Sequence, residues 1–452
     1  MYKNLINKDI FVIPVGVEFG KADDAINIVY SPFTDNALVA TPEFAQEMEA
    51  YIVNPDGDFS EGLADAMGAL LDLSNRKKCA YLAKSPEDYT RMAILPNNVC
   101  NFKCSYCYSA QGRSGKVMTQ ETMKGVIDWF INPDRISVEN KLAISILGGG
   151  EPLLSWNLVK FCLEYANERA AKFGYPRLDC NLVTNGSILN QEIIDTFKKF
   201  RVPISVSFEI MEEIQALQRG HYEKVAANID WLISEGIYPQ LRATITNQNV
   251  RMMKRMVEEV LQRFPKAREV MMEYVTDADL MTTAEQVREF YKLYIDNFFE
   301  AHEYGASHGL LVDCSAYRNF HLLIERFCPG DNTITPDGEI SICSRIGAPH
   351  DAGYDDCIYG KIDANGKATI DRDKFLKLIG LNVHHYDRCK NCFAKWHCAG
   401  GCLVHKYAYN ETIFEEICTY IRSFTRKMLL KRIDKEYIEA CGTTLKDAFS
   451  KL

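Results

Sequence analysis

Three cysteines lie within eight residues in the stretch Cys100-Asn-Phe-Lys-Cys104-Ser-Tyr-Cys107, shortly after the apolar run 92–95. Thiolates are the ligands that iron–sulfur clusters select, and a cubane cluster needs four ligands. A loop with three thiols therefore leaves one iron open to an outside ligand. A structural zinc site is the alternative, but such sites have four protein ligands, commonly from paired CxxC units. Three buried thiols that pack as small hydrophobic groups are a further alternative, which the clustering disfavours.

A glycine-rich segment, Gly148-Gly149-Gly150-Glu151-Pro152, follows the next apolar run along the chain. Glycines after a buried strand let the backbone turn sharply and approach a ligand closely. The Glu151 carboxylate would add an acceptor for a cation. By itself this pattern is also that of an ordinary loop.

Seven further cysteines follow an ordered spacing in the last third of the chain. They are Cys328, Cys343, the run Cys389-x2-Cys392-x5-Cys398-x3-Cys402, and Cys418. A zinc ribbon would use four of these thiols and leave the others without a role. Cys79, Cys162, Cys180 and Cys441 have no motif around them, and we expect buried thiols there. We also expect the histidines, which form no ligand-spaced group, to be structural or surface residues: His384, His385, His397 and His405.

The composition of the 452-residue chain excludes several classes of protein. A net charge of −9 argues against a general binder of nucleic acid or anionic membranes. The sequence has no signal peptide and no apolar run long enough to span a bilayer. Sixteen cysteines without a secretory signal predict reduced, metal-bound thiols in the cytoplasm.

The elements that would position these residues alternate between strands and helices from residue 90 to residue 307. Strand patterns cover 91–95, 142–147, 178–184, 203–208, 241–246 and 269–275, and amphipathic helical patterns cover 120–131, 158–173, 191–199, 222–234, 250–264 and 284–304. The last helix opens with a capping box at Thr283 and Gln286. Six strand–helix repeats predict a parallel sheet with right-handed crossovers, curled into a partial barrel. The cysteine loop, the glycine segment and Thr184-Asn185-Gly186 follow the first three strands, where barrels place their chemistry.

Two smaller regions flank this predicted barrel. Residues 1–89 predict an α+β module with strands at 11–15, 25–30 and 37–40 and helices at 42–51 and 59–73. The module either covers the open end of the barrel or binds a leader peptide by pairing it with an exposed strand edge. Residues 308–452 predict a cysteine-rich domain that contains many turns.

The cysteine loop, with Tyr106 before its last thiol, resembles the signature of the radical S-adenosylmethionine (SAM) superfamily. The resemblance implies a partial (β/α)6 barrel and an α/β fold class, with SAM bound at the open iron of the Cys100/Cys104/Cys107 cluster. The GGEP segment and later motifs imply the SAM contacts Tyr106, Gly149, Gly150, Glu151, Pro152, Asn185, Ser205, Ser207 and Arg242. A salt bridge at the barrel rim is the alternative role of Arg242. The sequence departs from the family pattern at Glu209-Ile210, where many relatives have Asp-Gly, and at Gln215-Ala216, where they have His-Asp.

The seven later cysteines resemble the SPASM domain, an extension that carries two auxiliary [4Fe–4S] clusters. The resemblance implies Cys328, Cys343 and Cys402 as ligands of one cluster, and Cys389, Cys392, Cys398 and Cys418 as ligands of the other. The first set needs a fourth ligand, for which Cys314 is the nearest candidate and Cys357 a weaker one. An iron open to a substrate thiolate is the alternative.

Together these resemblances imply three [4Fe–4S] clusters, SAM, and reductive cleavage of SAM to a 5′-deoxyadenosyl radical. SPASM enzymes act mostly on peptides, so we expect maturation of a ribosomally made peptide by a thioether or carbon–carbon cross-link. A flavodoxin or ferredoxin would supply the electron. The alternatives are an epimerase, a sulfatase-type protein maturase and a small-molecule dehydrogenase or mutase. Ser344 argues against the sulfatase type, because that family has an Asp base after the matching Cys. No residue stands out as the catalytic base.

Overall fold

The structure is a computed structural model that describes residues 2–72, 74, 76–80, 82–276, 281–328 and 330–450. Its strands are β1 (Lys3–Asn4), β2 (Phe11–Pro14), β3 (Asn27–Ser31), β4 (Asn36–Ala40), β5 (Arg91–Ile94), β6 (Ala143–Ile146), β7 (Asp179–Thr184), β8 (Ile204–Ser207), β9 (Gln240–Ile245), β10 (Glu269–Tyr274), β11 (Leu311–Asp313), β12 (Asn332–Ile334), β13 (Glu339–Ser341), β14 (Ile358–Ile362) and β15 (Ala368–Ile370).

The described helices alternate with these strands in the middle of the chain and dominate its end. They are α1 (Pro42–Val53), α2 (Leu63–Leu71), α3 (Gln120–Phe130), α4 (Trp156–Phe173), α5 (Gln191–Phe200), α6 (Glu212–Gln218), α7 (Tyr222–Ser234), α8 (Met253–Arg263), α9 (Ala284–Ser307), α10 (Ser315–Phe320), α11 (Tyr354–Cys357), α12 (Arg372–Gly380), α13 (Lys395–Cys398), α14 (Leu403–Ala408), α15 (Glu411–Cys441) and α16 (Leu445–Phe449). No helix in the described ranges combines the length and the apolar character that crossing a bilayer requires.

The main sheet has eleven strands in the order β11-β10-β9-β8-β7-β6-β5-β12-β13-β14-β15. Strands β5 to β10 are the six predicted ones, paired in parallel with their neighbours and joined through helices. The fold class is therefore confirmed: an α/β chain with a large parallel sheet, consistent with a partial barrel. Two parallel strands that the sequence analysis did not predict, β11 and β12, extend this sheet at its two sides.

Local sequence explains where the barrel elements begin and end. Strand β5 is buried at Met92–Ile94, whereas β7, β8 and β9 alternate between buried and more exposed residues. The alternation arises because successive residues of a strand point to opposite faces, and one face of these strands borders the cavity. Helix α9 begins at the predicted capping box, in which the Thr283 hydroxyl accepts from Gln286 N and the Gln286 side chain accepts from Thr283 N.

The N-terminal module is a four-stranded antiparallel sheet in the order β1-β2-β3-β4, with α1 and α2 on one face. Strand β3 is buried throughout: Val29 packs among the module's own helices, whereas Ile28 and Tyr30 join the main core. The predicted helix at 59–73 is shorter than expected, and its last position lies outside the described residues.

The C-terminal region departs most from the sequence-based expectation. A turn-rich chain was predicted from residue 308 onwards, but α15 is a helix of 31 residues. Its buried residues Ile413, Ile417, Tyr420, Phe424 and Met428 recur every three or four positions, and it packs along α9. This stripe is typical of an amphipathic helix, so the prediction was wrong for a segment that carried a clear signal.

Candidate functional site

The three-cysteine loop lies between β5 and α3, at the carboxyl end of the first barrel strand. Two N–H groups point at its sulfurs: Phe102 N lies 3.5 Å from Cys100 Sγ, and Arg113 Nη2 lies 3.3 Å from Cys107 Sγ. Burial raises the pKa of the Cys104 thiol, and the nearby Arg219 guanidinium opposes this rise. Positive charge and N–H donors around sulfur are what a thiolate needs when it leaves water.

The glycine segment packs directly on the residues that precede the first cysteine. Gly150 N donates to Asn97 O at 3.0 Å, and Glu151 N donates to Val99 O at 2.7 Å. A Cβ added to Gly150 would lie 2.0 Å from Val99 O, so only glycine allows this approach. Gly149, with φ +92°, takes a backbone conformation that other residues rarely adopt. The glycines therefore hold two loops from neighbouring strands together at the edge of the site.

Glu151 is buried beneath the glycine segment and holds a third loop. Its Oε1 accepts from Leu153 N at 3.0 Å and from the Thr184 hydroxyl at 2.7 Å, and its Oε2 accepts from Asn185 N at 2.6 Å. Burial raises the pKa of this carboxyl, and these hydrogen bonds oppose the rise. Because a carboxylate has about four acceptor positions, one position on Oε2 is left for a cationic ligand.

A buried polar group of Tyr106, Glu209 and Arg219 lies behind the cysteine loop. The Tyr106 hydroxyl donates to Glu209, Arg219 Nη1 donates to the Tyr106 hydroxyl at 2.8 Å, and Glu209 Oε2 accepts from Thr244 N at 3.0 Å. Arg219 Nη1 lies 3.9 Å from Glu209 Oε1. Burial raises the pKa of Glu209 to about 7, against the lowering effect of Arg219. The group fixes the Arg219 charge beside Cys104.

These loops enclose a cavity of about 560 Å³ at the carboxyl ends of the barrel strands. The C-terminal region completes its wall with Ser344, Arg345, Cys402 and His405. Several nitrogen atoms of lining residues are buried without a hydrogen-bond partner among the described residues: Arg113 Nε, Arg219 Nε, Arg345 Nε and His405 Nδ1. A cavity with unpartnered donors in its wall suits an anionic or zwitterionic ligand.

The cavity brings together most of the residues predicted to contact SAM. Its lining includes Tyr106, Gly149, Gly150, Glu151, Asn185, Ser207 and Arg242. Two predicted contacts lie outside it. Pro152 begins the 3-10 turn Pro152–Ser155, and the Ser205 hydroxyl, one pleat deeper in β8, donates to Gln240 Oε1 at 3.2 Å. Both residues support the site but do not face it.

Electrostatic interactions link several of the later cysteines. Cys343 interacts electrostatically with Cys402, Cys328 and Cys357, the weaker candidate for the fourth ligand, and burial is the main reason that its pKa is raised to about 12. Cys398 interacts in the same way with Cys418, Cys392 and Cys389. Cys402 also lines the cavity, so the first set borders the same space as the three-cysteine loop.

Cys314, the candidate for the fourth ligand of the first set, takes a different position. Its sulfur accepts from Tyr317 N at 3.4 Å and so caps the start of α10. Burial and Glu273 raise the pKa of its thiol, and its other polar neighbours are Tyr294 and Asp313. Among the described residues, none of its hydrogen-bond or electrostatic partners is a cysteine. The expectation for Cys314 is therefore corrected: its thiol serves as a helix cap, and the structure does not bring it to Cys328, Cys343 and Cys402.

The thiol sets match an iron–sulfur cluster better than a single ion. Across the described ranges, no three His, Cys, Asp or Glu side chains converge as the ligands of one metal ion would. A cubane carries its thiolates on separate irons, so its ligands surround a cluster and do not meet at a point. The three-thiol loop, its N–H donors and the adjoining cavity fit such a cluster with one iron facing the cavity.

The sequence analysis missed several residues that line the cavity. Glu273 and Tyr274 end β10, Arg345 follows the Cys343 loop, and His405 lies in α14. The position of Glu273 at the carboxyl end of a predicted barrel strand was a usable signal. Arg345 and His405 gave none, because only the fold of the C-terminal region brings them to the barrel.

Comparison with known sequences finds a family model that matches the middle of the chain. Residues 94–287 match the sequence model of the Radical SAM superfamily. The radical SAM cyclopropyl synthase TigE of Paramaledivibacter caminithermalis is 21% identical over 350 residues, which span 70% of this chain and 68% of that protein. An uncharacterized protein of Methanocaldococcus jannaschii is 26% identical over 182 residues, or 38% of this chain and 58% of that protein.

Solved structures share the fold at low sequence identity. The enzyme anSMEcpe with bound AdoMet superposes with a TM-score of 0.60 at 14% identity, over 75% of this chain and 98% of that one. A second anSMEcpe structure, with AdoMet and the Cp18Cys peptide, gives 0.59 at 15% identity over the same shares. Streptococcus suis SuiB bound to precursor peptide SuiA gives 0.50 at 14% identity, over 89% of this chain and 98% of that one.

Proposed function

We propose, from the premise that this chain is an enzyme with a radical SAM domain at residues 94–287, that it matures a ribosomally made peptide. The domain implies a [4Fe–4S] cluster and SAM. We assign the cluster to Cys100, Cys104 and Cys107, and the product to a carbon–carbon or thioether cross-link. One observation carries the proposal: a single cavity is bordered by these thiols and by Cys402 of the C-terminal region. A substrate in it would lie between the SAM site and an auxiliary cluster.

The chain's own residues hold the reactive groups in place. When bound, the reduced cluster and SAM supply a 5′-deoxyadenosyl radical that abstracts a hydrogen atom from the substrate. Arg113 and Arg219 offset the negative charge of the thiolates. The free acceptor position of Glu151 suits the methionyl ammonium group, and the guanidinium of Arg242 suits the carboxylate. A shared cavity would keep substrate and SAM in the proximity that hydrogen abstraction needs.

We assign two auxiliary [4Fe–4S] clusters to residues 308–452. One takes Cys389, Cys392, Cys398 and Cys418, of which Cys398 interacts electrostatically with the other three. The other takes Cys328, Cys343 and Cys402. Since Cys314 lies elsewhere, the fourth position of this cluster falls either to Cys357, the weaker sequence candidate, whose thiol interacts with that of Cys343, or to an outside ligand. The cluster's place beside the cavity suits an electron acceptor or a site for a substrate thiolate.

The N-terminal module at residues 1–89 is proposed to bind the leader part of the peptide. β4 is the last strand of its sheet, so one edge of β4 has no neighbouring strand among the described residues. Such an edge accepts an extended peptide through main-chain hydrogen bonds. The SuiB structure with precursor peptide SuiA and the anSMEcpe structure with the Cp18Cys peptide support a peptide substrate.

The similarity to TigE, a cyclopropyl synthase by name, favours carbon–carbon bond formation over a thioether. Ser344 disfavours the sulfatase type, because a serine hydroxyl at that position is a poor base. We further propose a flavodoxin or ferredoxin as electron donor and a location in the cytoplasm, where thiols remain reduced.

The test is the mass of the short peptide encoded beside this gene after anaerobic co-expression with the enzyme. We expect a loss of two hydrogens that is absent with Cys100→Ala and unchanged with Cys441→Ala. Cys441 lies outside every set and is exposed, so the sequence-based expectation of a buried thiol was wrong for it. Thiol alkylation then separates the products, because a thioether removes a free thiol and a carbon–carbon bond does not. An unchanged mass with deuterium gained in heavy water would instead identify an epimerase. Cleavage of SAM without any change in the peptide would contradict the proposal.

A further inference from the structure

When a peptide loses two hydrogens in a cross-linking reaction, one of them leaves as a proton and needs a base to accept it. The cavity contains a suitable carboxylate. This inference rests on the proposed function: the first hydrogen leaves as an atom, and the second must leave as a proton and an electron. Asp and Glu are common acceptors for such a proton, provided that they reach the substrate. The cavity lining includes two carboxylates, Glu151 and Glu273.

One carboxylate oxygen of Glu273 is held by hydrogen bonds, and the other has no partner among the described residues. It ends β10 and pairs in register with Thr244 of β9, which also lines the cavity. Its Oε1 accepts from Ser315 N at 2.8 Å and from the Ser315 hydroxyl at 2.6 Å. The structure gives its Oε2 no hydrogen bond or ion pair with any described residue. Oε1 is therefore held in place, and Oε2 is available to accept a proton.

The other candidate groups in the cavity are less suitable. Both oxygens of Glu151 already accept hydrogen bonds within the protein. The imidazole of His405 is already engaged at Nε2, which lies 3.2 Å from the Thr276 hydroxyl. Burial raises the pKa of Tyr274 well above its usual value, which keeps that phenol neutral. Ser344 offers only a hydroxyl.

We propose that Glu273 is the catalytic base: its Oε2 accepts the second hydrogen of the substrate as a proton. A substrate C–H or S–H bond breaks, its electrons enter the new cross-link, and the surplus electron of the substrate radical reduces the oxidised cluster beside Cys402. The cluster gains one electron, the carboxylate becomes a carboxylic acid, and the peptide has lost two hydrogens in all. The base and the electron acceptor thus border the same cavity.

The test is Glu273→Gln, which keeps an oxygen for Ser315 and removes the basic carboxylate. We expect SAM binding by calorimetry and the visible absorption of the clusters to match the parent enzyme. The yield of cross-linked peptide per 5′-deoxyadenosine should fall by about a hundredfold. With a deuterated peptide, the recovered peptide should exchange deuterium for hydrogen without losing two hydrogens, because its radical forms but is not deprotonated.

Two further variants keep this test decisive. Glu269→Gln is the matched control, because Glu269 lies four residues earlier on β10 and outside the cavity lining. This variant should form as much cross-linked peptide per 5′-deoxyadenosine as the parent enzyme. Ser315→Ala removes one of the two hydrogen bonds to Oε1 and should lower the coupling several-fold. This variant provides the test if Glu273→Gln does not fold. If Glu273→Gln forms as much cross-linked peptide per 5′-deoxyadenosine as the parent enzyme, the inference is wrong but the proposed function stands. The same conclusion follows if this variant no longer cleaves SAM. A parent enzyme that leaves the peptide unchanged overturns the proposed function and this inference together.

Discussion

At the scale of residues, the charge of Arg219 is held by two buried partners. Glu209 and Arg219 have side chains 0% and 8% exposed, and Tyr106 bonds to both. The desolvation of such a pair is compensated only while both charges are present. Glu209 stands where the sequence analysis noted a departure from the resembled pattern. Its carboxylate anchors Arg219 beside Cys104.

Removing one member of this pair should destabilise the protein more than removing both charges. Arg219→Met leaves the Glu209 carboxylate buried and unpaired, and we expect a loss of about 3–5 kcal/mol in the free energy of unfolding. The double variant Arg219→Met/Glu209→Gln should recover more than half of that loss. Chemical denaturation of the four proteins of this cycle measures it. Additive losses would contradict the buried pair.

The sequence predicted single residues well where a motif carried them. The cysteine loop and the glycine segment have chemistry that depends on local spacing, and they meet in the fold as expected. Cys314 failed because nearness along the chain is a weak guide to nearness in space, and its thiol caps a helix instead. Arg345 and His405 could not be predicted, since separate elements bring them to the cavity.

At the scale of elements, close packing between two loops determines the shape of the site. Gly150→Ala would place a Cβ 2.0 Å from Val99 O and 2.4 Å from Asn97 Oδ1. The loops must move apart, so we expect a loss of about 1–3 kcal/mol in stability. Thermal unfolding and iron content should both fall.

Gly115→Ala is the matched control for Gly150→Ala. A Cβ at Gly115 meets no atom within 4 Å, so this variant should keep the stability and iron content of the parent. Equal behaviour of the two variants would show that the close approach of the glycine segment does not matter.

The auxiliary set beside the cavity predicts a separation of the two activities. Cys402→Ala removes a thiol that the proposed auxiliary cluster beside the cavity needs. Because the enzyme would then lose one of its three proposed clusters, we expect the iron content to fall by about one third. SAM cleavage should continue, because the three-cysteine loop is intact, while the peptide keeps both hydrogens. Iron analysis and the yield of 5′-deoxyadenosine measure the two effects. Full iron content in this variant would remove Cys402 from the cluster.

At the scale of the whole molecule, the N-terminal module is attached to the cysteine-rich region. Trp396 Nε1 donates to Asp9 Oδ2 at 3.0 Å, and Arg432 Nη1 lies 2.7 Å from Asp35 Oδ1. The Tyr30 hydroxyl lies 2.7 Å from His397 Nε2, next in sequence to Cys398. The barrel elements were predictable because each forms from local sequence. This attachment was not, since its partners lie more than 360 residues apart.

The buried contact at His397 predicts a loss of stability in acid. Leu322 O lies 2.9 Å from His397 Nδ1, so the neutral ring carries its hydrogen there and accepts from Tyr30 at Nε2. Burial lowers the pKa of His397 to about 4 from 6.5. Between these values the unfolded chain binds the proton and the folded chain does not, so stability falls as the pH falls. Above pH 6.5 the effect is absent, and the full shift corresponds to about 3 kcal/mol.

The midpoint of thermal unfolding at pH 7 and at pH 5 measures this effect. His397→Gln should show a smaller drop between the two values than the parent, because its amide does not titrate. His308→Gln, at an exposed histidine, should drop as the parent does. An equal drop in all three proteins would place the acid sensitivity elsewhere.

The most direct test of the central claim follows hydrogen from the peptide to the product of SAM. The reduced enzyme is given SAM and a deuterated peptide with its leader, and the mass of the 5′-deoxyadenosine formed is measured. We predict 5′-deoxyadenosine that carries deuterium, and none with Cys100→Ala. If the enzyme forms only unlabelled 5′-deoxyadenosine in the presence of that peptide, the peptide is not the hydrogen donor and the account is wrong.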